Sequence, residues 1–228
     1  MFTSFRAPLS ALALASLSLC ALPSHAFGLG GLVGGAKPAA AAGAPADPDG
    51  FIKAAAGAEK LMGNSLQYLS NSLLAKEKSA EVNAKLESAA KLTDPSERQA
   101  KTLEAQKDAV AALNEQTSGD KLKSDIDKLG TAQRAQLAAS AFNFSLALLQ
   151  DKALIEQSKA LIASMSGNPM QLAKLGSIKD SASSLSNQLS LGSQIAGKMP
   201  DIFKAVGIAA PTSKDDKPKQ VATGDKGD

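Results

Sequence analysis

Apolar residues recur every three or four positions along most of the chain between residues 49 and 207. This period is typical of amphipathic α-helices that bury one face in a protein core. No run alternates apolar and polar residues as a half-buried strand does. The pattern predicts an all-α fold, namely an elongated antiparallel bundle of about four long helices that fills residues 49–207.

Turn and cap residues divide this region into segments. We predict one helix over 49–90 and a second over 95–117, because Asp94-Pro95 supplies an N-cap acceptor followed by a first-turn proline. A third helix is predicted over 120–165. The fourth, over 169–199, has an apolar spacing close to the heptad of coiled coils.

The third segment is apolar on nearly every side between residues 137 and 149. Helical residues two positions apart point about 200° apart, so these side chains face several neighbours at once. One interpretation is a central core helix, and the other is a surface for a partner. Together with the short apolar turn at 200–207, the segment supplies our candidate interaction surface: Phe142, Phe144, Leu146, Leu148, Leu149, Ile202 and Phe203.

The two ends of the chain have different compositions from its middle. Residues 27–48 are rich in Gly, Ala and Pro, which predicts a flexible linker. Residues 208–228 are rich in Lys, Asp, Pro and Gly and poor in large apolar side chains, which predicts a disordered tail.

Residues 1–26 have the pattern of a cleavable signal peptide. Arg6 precedes an apolar stretch at 7–22, and the small residues Ser24 and Ala26 fit a cleavage site after Ala26. We therefore expect export to the bacterial periplasm, or secretion. A lipoprotein signal ending at Cys20 is the alternative, although Leu19 occupies a position that this signal reserves for a small residue.

Cleavage after Ala26 removes Cys20 and His25, which are the only cysteine and the only histidine of the chain. The mature protein then has no disulfide, no thiol nucleophile, no imidazole base and no zinc site of the usual type. We accordingly predict no catalytic residue, no cofactor and no metal. The 25 basic and 22 acidic residues are interspersed, so no nucleic-acid partner is expected.

Two Ser-x-x-Lys motifs, Ser88 to Lys91 and Ser118 to Lys121, allow acyl transfer without histidine in principle. Enzymes of that class also need a Lys-Thr-Gly strand, and this chain lacks that tripeptide. The carboxylate pairs Glu104 with Asp108 and Asp125 with Asp127 lie among lysines and glutamines. We therefore interpret all of these groups as solvated surface residues and predict that the chain is not an enzyme.

The remaining hypothesis is a non-enzymatic, exported helical protein that serves as an interaction or structural component of the bacterial cell envelope. Its expected partner is another protein, not identified by the sequence, or a second copy of the chain. The alternative is a lipid-binding or membrane-acting bundle that exposes residues 137–149 to a membrane surface.

Overall fold

A computed structural model describes residues 47–117, 121–166 and 172–221, without the side chains of residues 95, 96, 172 and 173. Within these ranges the chain forms α-helices and no strand, which confirms the all-α prediction. The predicted signal peptide and nearly all of the predicted linker lie outside the described residues. The helices are α1 Pro48–Leu73, α2 Lys76–Ala90, α3 Pro95–Gln116, α4 Lys121–Lys128, α5 Thr131–Met165, α6 Leu172–Ala196 and α7 Met199–Val206.

Two helices begin with an aspartate cap followed by a proline. The Asp94 carboxylate accepts a hydrogen bond from the main-chain N–H of Glu97 at 2.7 Å, and Pro95 begins α3. The Asp47 carboxylate likewise accepts from the N–H of Asp49 at 3.1 Å at the start of α1. Each cap satisfies a main-chain donor that has no partner inside the helix. The predicted start of α3 is therefore confirmed.

The helix predicted over 49–90 is corrected to two helices, α1 and α2, which are separated at 74–75. The side-chain oxygen of Asn71 accepts hydrogen bonds from the Ser79 hydroxyl and from the Asn83 amide, both at 2.6 Å. These bonds join the end of α1 to α2, and α2 packs mainly on α3. The sequence did not predict the break because Leu74 and Ala75 are both good helix formers.

The helix predicted over 120–165 is likewise corrected to two, the short α4 and the long α5. The main-chain N–H of Gly130 donates to the side-chain oxygen of Gln133 at 3.2 Å and thereby caps α5. Arg134 donates to the carbonyl of Leu129 at 3.2 Å in the same turn. The chain can therefore change direction at residues 129–130 without leaving these main-chain groups unpaired.

Helix α5 is the centre of the packing and contacts α1, α6 and α7, while α3 contacts α1, α2 and α6. The first core cluster joins the C-terminal half of α1 to the N-terminal half of α5, with Leu66, Leu69, Leu137 and Phe144 among its members. The second core cluster joins the opposite halves of the same two helices: Phe51, Ala55, Ala58, Leu161, Met165, Ile178 and Leu185. Helices α1 and α5 therefore pack with opposite chain directions.

Helix α7 ends at Gly207, the one described residue with a left-handed backbone conformation, at a φ of 73°. The N–H groups of Gly207 and Ile208 both donate to the carbonyl of Phe203, at 2.9 and 3.1 Å. Glycine adopts this conformation without the steric cost that other residues pay. The turn directs the chain after α7 towards α5.

Candidate functional site on α5

Most of the candidate interaction surface is buried. Phe144, Leu146 and Ile202 are 0% exposed, Phe142 and Phe203 are 9% and 8% exposed, and Leu148 and Leu149 are half-buried. All of them except Leu149 belong to the first core cluster or pack against it. In this conformation these side chains therefore lie in the core, as the core-helix interpretation expects, and their role as an interaction surface stays a prediction.

Residues 208–221, hereafter the C-terminal segment, lie along α5 and contribute to this burial. The side-chain amide of Asn143 makes two hydrogen bonds to the main chain of Lys219: its oxygen accepts from the N–H at 2.7 Å, and its nitrogen donates to the carbonyl at 2.8 Å. Asn143 is only 2% exposed. The sequence predicted a disordered tail over 208–228, whereas this part of it has a defined partner, and residues 222–228 lie outside the described residues.

Two further contacts hold the C-terminal segment on α5. Gln150 donates from its side-chain amide to the carbonyl of Lys214 at 3.2 Å. The ammonium of Lys219 lies 4.7 Å from the ring centre of Phe142, within the range of a cation–π interaction. Asn143 and Gln150 are seven positions apart, or about two helical turns, so they lie on the same face of α5. The segment therefore runs opposite to the chain direction of α5.

A turn within the C-terminal segment shapes the part that Gln150 contacts. The carboxylate of Asp216 accepts hydrogen bonds from the N–H groups of Thr212 and Ser213, at 2.8 and 3.2 Å. The N–H of Asp216 donates in turn to the carbonyl of Ser213 at 3.2 Å. Local side-chain bonds of this kind fix a turn without a hydrophobic core.

A second polar feature lies inside the core, where Asp151 of α5 is 0% exposed and neither carboxyl oxygen has a hydrogen-bond partner among the described residues. The side-chain oxygen of Gln188 on α6 and the side-chain nitrogen of Gln106 on α3 are also buried without a described partner. Along α5, Asp151 separates residues of the first core cluster from residues of the second, and Gln188 does the same along α6. We call Asp151, Gln188 and Gln106 the buried polar residues.

Burial raises the pKa of Asp151 to about 8, because the charged carboxylate loses its hydration in the core. The negative charge of Glu59 on α1 raises this pKa further. Asp151 is therefore mainly protonated at neutral pH, and its ionisation would place an unpaired charge in the core. Asp151 therefore makes the stability of this fold depend on pH.

The residues considered for acid, base or nucleophilic chemistry lie elsewhere. Ser88 and Lys91 are exposed near the end of α2, and Ser118 lies outside the described residues. Asp108 forms an ion pair with Lys85 at 2.6 Å. Asp127 pairs with Lys123 at 2.9 Å, and these hydrogen-bonding and charge interactions lower the pKa of Asp127. Among these groups, none of the described ones has a hydrogen bond or an ion pair with Asp151 or with Asn143.

Sequence patterns alone did not indicate the three polar residues of α5 that define the site, Asn143, Gln150 and Asp151. Their position in the sequence could have indicated a site, because these polar residues interrupt or border the apolar run at 137–149. A polar residue in such a run requires a partner, since burying it without one is costly. For Asn143 and Gln150 the partner is the main chain of the C-terminal segment.

Within the described ranges, no three or more Cys, Asp, Glu or His side chains are grouped as a metal site would require. No helix in these ranges combines the length and the apolar character needed to cross a membrane. Comparisons with protein-family models, with curated proteins and with solved structures found no match to this chain.

Proposed function

We propose that the chain is a non-enzymatic, exported helical protein that acts as an interaction or structural component of the bacterial cell envelope. The observation that supports an interaction role is the way in which side chains of α5 bind the main chain of the C-terminal segment. Asn143 contacts both polar main-chain groups of Lys219, so it recognises backbone geometry. Surfaces that bind extended segments commonly obtain affinity from such main-chain hydrogen bonds.

The export part of the proposal depends on the signal-peptide pattern of residues 1–26, which predicts cleavage after Ala26. The elongated, antiparallel form of the bundle also belongs to the proposal. Helices with polar outer faces offer long surfaces to a partner, which suits a structural or scaffolding role. The expected partner is a second exported protein or another copy of this chain.

The experiment is chemical crosslinking in intact bacterial cells that express the full chain with a C-terminal tag, followed by purification and mass spectrometry. We expect a stoichiometric adduct with one exported protein or with a second copy. Asn143→Ala should change the yield of this adduct, and Gln157→Ala, at an exposed position of the same helix, should not. If the purified protein carries no protein adduct, the interaction role is refuted.

A lipid-binding or membrane-acting bundle is the second candidate function, and the position of Asp151 favours it. The carboxyl lies just beyond the buried 137–149 segment, so ionisation of Asp151 would weaken the core next to the most apolar part of α5. Every Leu, Ile, Val, Met and Phe whose side chain is described is buried or half-buried. Lipid binding would therefore require the bundle to open.

The test is sedimentation of the protein with vesicles of phosphatidylethanolamine and phosphatidylglycerol at pH 6 and pH 9. An opening bundle should bind more at pH 9, where Asp151 is ionised, and Asp151→Asn should remove this difference. If the protein sediments with the vesicles at neither pH, the lipid-binding candidate is refuted.

A further inference from the structure

We propose that the C-terminal segment occupies a peptide-binding groove on α5, and that a lysine-containing segment of a partner protein binds there in its place. The groove consists of Phe142, Asn143 and Gln150, which all contact residues 214–219. This inference rests on the proposed interaction function and specifies the chemistry of the partner.

The contacts of the C-terminal segment define what the groove accepts. Asn143 needs a residue that has both a main-chain N–H and a carbonyl, which excludes proline at the position of Lys219. Phe142 favours a cation at that same residue. Gln150 needs a carbonyl five residues earlier, at the position of Lys214. The ligand is therefore a peptide that runs opposite to α5, with a lysine near its C-terminal end and a turn like that at 212–216 before it.

The C-terminal segment is attached in a way that allows exchange. No main-chain hydrogen bond joins residues 209–221 to a helix in the described part of the chain. Residues 217–220 are exposed, although the Lys219 main chain is bound. Ile208 holds the start of the segment on Phe203 and the first core cluster. Beyond Ile208, the hydrogen bonds between the segment and α5 come from the side chains of Asn143 and Gln150, so the same peptide added from outside can make the same contacts.

The experiment measures the affinity of a fluorescent peptide with the sequence of residues 208–221 for three forms of the full chain. In wild type the attached segment competes with the peptide. Lys219→Pro removes the N–H that Asn143 binds and the cation over Phe142, and it leaves the groove unchanged. Asn143→Ala in the Lys219→Pro background removes the groove residue itself.

We expect Lys219→Pro to bind the peptide about tenfold tighter than wild type, because a larger fraction of its grooves is free. Adding Asn143→Ala should abolish binding, and a peptide with proline at the Lys219 position should not bind. Lys217→Pro is the matched control, since residue 217 is exposed and should leave the affinity at the wild-type value. Circular dichroism confirms that each variant remains helical.

Two outcomes overturn the proposal. One is that the Lys219→Pro chain does not bind the peptide, and the other is that binding survives Asn143→Ala. Either of these outcomes leaves the proposed interaction function standing if crosslinking in cells still identifies a partner. That partner would then contact a different surface.

Discussion

Gly192 of α6 lies directly against Leu148 of α5, with no space for a side chain between the two helices. A Cβ atom built on Gly192 would overlap the Cδ2 of Leu148 and would lie 3.4 Å from the Cζ of Phe144. The distance to Phe144 is an ordinary van der Waals contact, so the half-buried side chain of Leu148 would have to move to admit the new atom. The close approach of α5 and α6 therefore depends on this glycine.

Replacing this glycine tests the packing of the two helices. Gly176 lies on the same helix, and a Cβ atom there would have no heavy atom within 4 Å. Both Gly→Ala changes gain helix propensity, about 1 kcal/mol in a helix interior. We expect Gly176→Ala to stabilise the protein and Gly192→Ala to be less stable than Gly176→Ala by about 1–3 kcal/mol, the usual cost of overpacking. Urea denaturation of the two variants measures the difference, and equal stabilisation would contradict the described packing.

Truncating two residues of the apolar run distinguishes core from surface. Phe144 is 0% exposed and Leu149 is half-buried. We expect Phe144→Ala to lower the free energy of unfolding by about 3–5 kcal/mol, because it leaves a cavity in the core. Leu149→Ala should cost clearly less, since solvent can reach the truncated site. Thermal or urea denaturation measures both variants. Similar small losses in both would indicate that this face of α5 is open.

The burial of Asp151 predicts an unusual dependence of stability on pH. The pKa of Asp151 is about 8 in the folded protein, against an ordinary value of 3.8. Between these values the folded state holds a proton that the unfolded state releases. The free energy of unfolding therefore has its full contribution from Asp151 below about pH 4. This contribution falls as the pH rises, by up to about 1.4 kcal/mol per pH unit. The decline ends above the folded pKa.

Asp151→Asn should remove this dependence, because asparagine has a similar shape and does not titrate. We expect the variant to match wild type near pH 4 and to be more stable by roughly 2–4 kcal/mol at pH 7, from urea denaturation at a series of pH values. Asp127→Asn is the control: the pKa of this exposed, ion-paired carboxylate is lowered, so its loss should bring no gain at neutral pH. Parallel pH profiles for wild type and Asp151→Asn would refute the described burial of Asp151.

The helical class, the caps at Asp94-Pro95 and the central position of the 137–149 segment follow from local patterns in the sequence. Apolar period and cap chemistry are local properties, and they determine where a helix forms and which face it buries. The helix breaks at 74–75 and at 129–130 could not be predicted from these local patterns. At the first break, the side chain of Asn71 on α1 accepts hydrogen bonds from Ser79 and Asn83 of α2. Local helix propensity does not contain such contacts between two helices.

The candidate site was only partly predictable for a related reason. Disorder was predicted for 208–228 because these residues include few large apolar side chains that could pack in a core. The segment is instead held by side chains of α5 that bind its main chain, which every sequence possesses. Pairing Asn143 with Lys219 requires knowing that residues 76 positions apart meet. Composition does not contain that information.

The most direct test of this account is amide hydrogen exchange at Lys219 in the full chain, measured by nuclear magnetic resonance. Lys217 provides the internal reference, because it is exposed in the same segment. We expect the Lys219 amide to exchange at least about tenfold more slowly than the Lys217 amide after correction for sequence, which corresponds to about 1.4 kcal/mol of docking free energy. Asn143→Ala should bring the two rates together, and Gln157→Ala should not. Equal rates for Lys219 and Lys217 in the wild-type protein would contradict the binding of the C-terminal segment to α5 and remove the structural basis of both proposals for this helix.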